Sequence, residues 1–150
     1  MPRRPRRLPS LVVEPEVRLG TSPDWEHEIH LPVEPLSASK ARAFVCRHLV
    51  EHRLLQLVAP VRLVASELAT HAIIHSDRPF TVTLSMTDDV VTLSVHDDTT
   101  ARRARSLTPA MNPRGHEAAI VGVLSQRWGV ETGPSHGRTV WAAFPRPRTP

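Results

Sequence analysis

Tyrosine is absent from the chain, three tryptophans and three phenylalanines are its only other aromatics, and their share is 4%. That scarcity argues against a nucleic-acid face built from stacked bases, and no helix-turn-helix, zinc-finger or RNP-type pattern is visible. Cysteine is as scarce: Cys46 stands alone, which excludes an internal disulfide and a Cys-based zinc site and leaves it the part of a small core hydrophobe. No uninterrupted apolar run is long enough to cross a bilayer, and the basic N-terminus lacks the apolar segment and cleavage site of a signal peptide. A cytoplasmic protein without a membrane partner is therefore expected. Internal repeats are also lacking.

What is plentiful is proline (15), histidine (9) and positive charge (net +4), unevenly spread. The ends MPRRPRRLP and PRPRTP are rich in Arg and Pro and carry no acid, a composition that rarely folds and that attracts nucleic acid by charge alone. Residues 1–23 are read as a flexible lead-in, 24–144 as one domain and 145–150 as a tail. Non-specific nucleic-acid binding is expected only through these tails.

Within the domain, WEHEIHLPV (25–33) alternates large and polar residues as a half-buried strand does, and Pro32 and Pro35 end it. Ser37 or Ser39 is positioned to cap a helix through about Glu51, with Ala41, Phe44, Val45, His48 and Leu49 on its inner side. The central segment, RLVASELATHAIIHS (62–76), places Val61, Val64, Ala65, Leu68, Ala72 and Ile73 at three- and four-residue intervals, the spacing of a buried helix face. Pro60 fits the first turn of this helix, unless Leu54–Ala59 is already helical. Opposite the apolar face, Glu67, His71 and His75 form an i, i+4, i+8 ladder that aims a carboxylate and two imidazoles at one neighbour. Phe80–Met86 and Val90–His96 read as a hairpin across Thr87-Asp88-Asp89. A basic loop, Thr99–Arg114, follows and is read as a lid. Then come a helix over Gly115–Arg127 and strands Trp128–Glu131 and Thr139–Phe144. This order predicts an α+β fold, a two-layer sandwich with helices on one face of a mixed β-sheet.

Four separated segments in this order resemble the Bergerat-fold (GHKL, histidine-kinase-like) ATP-binding domain of sensor histidine kinases, gyrase and MutL. The branch they are most similar to is the small stand-alone one of anti-sigma-factor serine/threonine kinases and actinobacterial ATP-binding regulators. Glu67-Leu-Ala-Thr-His71 stands where that branch has E-L-x-x-N, with Ala72 and His75 matching its continuation. Val95-His-Asp97-Asp98 stands at the V-x-D box. GHEAAIVGVLSQRWGV (115–130) is similar to the G-x-G-L helix with its R-W-G-V ending, and Gly137-Arg-Thr139-Val-Trp141 to the closing G-K-T-V-W strand.

The resemblance implies ATP and Mg2+ as cofactors, protein kinase or ATPase chemistry, and a protein partner such as a sigma factor or an anti-sigma-factor antagonist, with homodimers common in the branch. It gives Glu67 the role of the base that activates a water or hydroxyl, Asp97 the adenine amine, Thr139 the closing of the adenine pocket, and Arg114 and Gly115 the phosphates. His71 falls at the Mg2+ ligand. Several positions depart from the pattern. Imidazole suits zinc, nickel or copper better than Mg2+. Thr99 and Ala101 replace two glycines, and Glu117 replaces the second glycine of the phosphate helix, where a carboxylate repels a triphosphate. Arg102, Arg103, Arg105 and Arg114 offer phosphate-binding forks, and His116 stands ready to pair with Glu117. The expectation is a regulatory protein with a degenerate phosphate and metal site. The alternatives are a partner-binding protein that has lost nucleotide, and a basic nucleic-acid-associated protein. A zinc hydrolase fails on spacing, because Glu67 and His75 lie about 12 Å apart along a helix rising ~1.5 Å per residue.

Overall fold

A computed structural model describes residues 23–98, 116–133 and 137–147 of the chain. Among these residues period-two alternation becomes five strands: β1 (Trp25–Leu31), β2 (Phe80–Thr87), β3 (Val90–Asp97), β4 (Arg127–Gly133) and β5 (Gly137–Pro145). They form one sheet in the order β1-β2-β3-β5-β4. Every neighbouring pair is antiparallel, which corrects the expected mixed sheet. The reason is topological: β3 and β4 run the same way with a helix crossing between them, but β5 turns back from β4 and inserts between the two.

The registers align residues into rows across the sheet. On the inner face these rows are Trp25, Met86, Val91 and Phe144; then His27, Leu84, Leu93, Ala142 and Trp128; then Ile29, Val82, Val95, Val140 and Val130. The next row is Leu31, Phe80, Asp97, Arg138 and Thr132, so the inner surface changes from apolar to charged at one end of the sheet. The opposite face presents Thr81, Thr83, Ser85, Thr92, Ser94 and His96, all half-buried. The β2–β3 turn is tight, with Asp88 and Asp89 at φ 53° and 65°, the left-handed pair required by a two-residue hairpin turn.

Among the described residues three helices cover the apolar rows: α1 (Leu36–Glu51), α2 (Val58–His75) and α3 (His116–Leu124). Ser37 does not cap α1. Pro35 occupies the cap position, and the Ser37 hydroxyl, already inside the helix, donates to the Pro32 carbonyl at 2.7 Å. Leu55–Leu57 makes a short 3-10 turn that runs directly into α2, with Pro60 in the first turn of α2. The α2 helix ends where Ser76 leaves helical geometry and its hydroxyl accepts the Arg78 N–H at 3.1 Å, just before Pro79. The third helix is shorter than its periodicity suggests: it stops at Leu124, Ser125 donates back to the Val121 carbonyl, and Arg127 already belongs to β4.

Leu55–His75 is, by length and composition, long and apolar enough to cross a membrane, although Arg62 and Glu67 interrupt any uninterrupted run. Here its apolar side is core. Val61, Val64, Ala65, Leu68 and Ala69 are almost wholly buried against Phe44, Val45 and Leu49 of α1 and the inner rows of the sheet. Each fully buried Val or Leu contributes roughly 1.5–3 kcal/mol relative to exposure. Ile73, expected in that face, is only half-buried, and Ile74 is 65% exposed.

Candidate functional site

The charged end of the inner face is the candidate site. Asp97 ends β3 and Arg138 opens β5, in direct register. Both side chains are 2% exposed, and Arg138 Nη2 donates to Asp97 Oδ2 at 3.1 Å. The strands are held close by Gly137, whose φ of +78° suits glycine; a Cβ there would lie 2.1 Å from the Asp97 carbonyl oxygen. Arg138 Nη1 has no hydrogen-bond partner among the described residues.

His71 faces the same end from α2. The ladder expectation put it on the polar side of the helix, but it is 2% exposed, whereas Glu67 and His75 are half-buried and Thr70 is exposed. The physical reason is the angular width of the buried face: α2 packs on β3, β5 and α3 as well as α1, so the residue three after Leu68 is also enclosed. Neither ring nitrogen of His71 has a hydrogen-bond partner among the described residues. Burial, then the positive charges of Arg138 and of a protonated His75, push its pKa down to about 3 against a weaker opposing pull from Asp97. His71 is therefore a neutral imidazole at neutral pH. The His75 ring lies 4.6 Å away, centroid to centroid.

Thr139 is not brought into this group. Strand alternation turns Arg138, Val140 and Ala142 inward and Thr139 outward, where its hydroxyl meets His96 Nδ1 at 2.7 Å. His96 Nε2 in turn lies 3.3 Å from Asp98 Oδ1. Arg138 is thus the residue that sequence reasoning missed. The signal was present: Val140, Ala142 and Phe144 carry the apolar period of β5, and two residues back from Val140 is Arg138. Trp141 lies over Gly129 on the outer face, where a Cβ at Gly129 would come within 2.9 Å of the indole.

Expectations at Thr99, Ala101, Arg102, Arg103, Arg105, Arg114 and Gly115 lie outside the described residues, as do the side chains of His116 and Glu117. Among the described residues no group of three or more His, Cys, Asp or Glu side chains is arranged to hold a metal ion. What the site can do chemically follows from its members. A buried carboxylate, a buried guanidinium and a neutral imidazole can bind and orient a polar ligand. An amine that approaches the carboxylate has to compete with the guanidinium already bonded to Oδ2. No protein-family model matches the chain, and no curated protein matches it.

Proposed function

We propose that the chain is a cytoplasmic regulatory protein with a Bergerat-type ATP-binding sandwich, of the anti-sigma-factor serine/threonine kinase kind, in which nucleotide binding is weak and a protein partner is the main ligand. The observation that carries this reading is the Asp97–Arg138 pair: the carboxylate that the resemblance assigns to adenine is already engaged by a buried guanidinium directly opposite. An adenine amine would have to compete with that contact for the carboxylate. His71, at the position of the Mg2+ ligand, offers a neutral nitrogen where a hard oxygen is wanted. The partner class is a sigma factor or its antagonist.

Calorimetry of ATP binding with and without Mg2+ tests the reading. Wild-type protein is expected to bind more weakly than low micromolar, about −8 kcal/mol. His71→Asn with Arg138→Thr, which supplies an oxygen ligand and removes the guanidinium from Asp97, should raise Mg-dependent affinity tenfold or more on the scale where ~1.4 kcal/mol is tenfold. Low-micromolar binding by the wild type, or no gain in a folded double variant, overturns it. Half-buried Glu67 sits one turn before His71 on α2 and supports a second reading, residual phosphoryl transfer. Any turnover should then disappear in Glu67→Ala, with a loss of about 10²–10⁴-fold.

A further inference from the structure

Away from the Asp97 end, α1 and α2 flank an open cleft of about 270 Å³ lined by Ser39, Arg42, Ala43, Cys46 and Arg62. Ser39, Ala43 and Cys46 recur at four- and three-residue spacing along α1, so small side chains form one wall and let the arginines reach the space. Arg42 is anchored, since its Nη1 donates to Ser66 Oγ of α2 at 3.1 Å. Among the described residues neither Arg42 nor Arg62 has a carboxylate within ion-pair distance. Arg138 and Arg146, by contrast, are each paired with an aspartate. Two guanidinium groups on one small cleft repel each other, and among the described residues no acid lines it to offset that.

We infer that this cleft is an oxyanion site that takes a phosphomonoester dianion, clamped between Arg42 and Arg62 with the Ser39 hydroxyl as an added donor. The chemistry favours phosphate over carboxylate. A dianion answers two positive charges, and its three oxygens suit two planar forks and a hydroxyl. The cleft is below the size range of ordinary small-molecule pockets, so it holds the phosphate group and leaves whatever carries it outside. The carrier is either a phosphorylated side chain of a protein or a free phosphorylated metabolite. The site is independent of the Asp97 end and stands or falls without it.

Cys46, the only thiol in the chain, makes the cleft observable. Alkylation of the full chain by a neutral maleimide should slow as inorganic phosphate is added, and should not slow with acetate or chloride at equal ionic strength. A phosphoserine peptide protecting at lower concentration than inorganic phosphate, with its unphosphorylated form inactive, assigns the carrier to a protein; equal protection by phosphate and peptide assigns it to a small molecule. Arg42→Gln and Arg62→Gln should each weaken protection about tenfold, the scale of one charge-assisted hydrogen bond. If Cys46 proves unreactive, phosphate-induced NMR shifts at the Arg42 and Arg62 Nε–H groups decide the question. No protection or shift by phosphate, or equal effects from acetate, overturns the assignment.

Discussion

Histidines meet burial in opposite ways at two places in this molecule. At the seam between β1 and the C-terminal end of α1, His27 stacks on His48 with ring centroids 3.8 Å apart, and His52 stacks on Trp25 at 3.9 Å. His27 Nε2 and His52 Nε2 are 2.9 Å apart, so one ring supplies the proton and the other the lone pair. Arg47 Nη2 lies 3.1 Å from His48 Nε2 and can only donate. The His48 proton therefore sits on Nδ1 and is donated to Glu51 at 3.0 Å. Every imidazole there has a partner. His71, at the other end of the sheet, has none among the described residues. The seam spends its histidines on packing and register, while the Asp97 end keeps an unsatisfied imidazole beside an under-satisfied guanidinium. Fully partnered polar groups hold elements together, whereas buried groups lacking partners are costly and are the ones a ligand would satisfy.

The largest expected effect comes from separating β3 and β5 at the site. Gly137→Ala places a methyl against the Asp97 carbonyl and forces an L-residue into positive φ, and should destabilise the fold by about 4 kcal/mol in urea unfolding. Asp97→Ala, which leaves Arg138 buried without its carboxylate, should cost about 3 to 5 kcal/mol, while Asp97→Leu with Arg138→Met should fall near wild type. A double variant as unstable as the single one would show that the pair contributes more than mutual neutralisation.

Acid should distinguish the two regions next. The folded pKa of His71 is depressed from 6.5 to about 3, so the unfolded chain takes up the proton first. Its contribution is fully present above pH 6.5. It falls by up to about 1.4 kcal/mol per pH unit as pH drops towards 3. His71→Leu should flatten that part of the stability profile without lowering stability at pH 7, because it removes two unpartnered polar atoms.

The smallest effect belongs to the seam. Burial, followed by His27, lowers the pKa of His48 and of His52, so they too favour the folded state above their unfolded value and lose that as pH falls below it. His27→Gln removes one of the named charges and should raise both NMR titration midpoints. Unmoved midpoints would mean that burial alone sets them.

The fold was largely legible because its elements carry strong periods: the alternation of β2 and β3 and the three-to-four spacing of α2 follow directly from which residues must avoid water. The sheet's direction was not, since an inserted strand leaves no local trace. Nor was the inward turn of His71, which depends on how many neighbours α2 has. Arg138 was hidden by its type: an arginine two residues before an apolar strand core reads as a solvated flank until a buried aspartate appears opposite it.

Although β5 is the last of the described strands in chain order, it lies inside the sheet between β3 and β4. Its contacts with β3 join residues far apart in sequence, 41 positions for Asp97 and Arg138. During synthesis, β1, β2 and β3 can pair while β3 still presents a bare edge and β4 has nothing to join. Closing that gap costs the loop entropy of a distant partner, so folding should be slow for a domain of this size and should wait for β5. Until then, the exposed β3 edge is the place where two nascent copies would most readily add to one another.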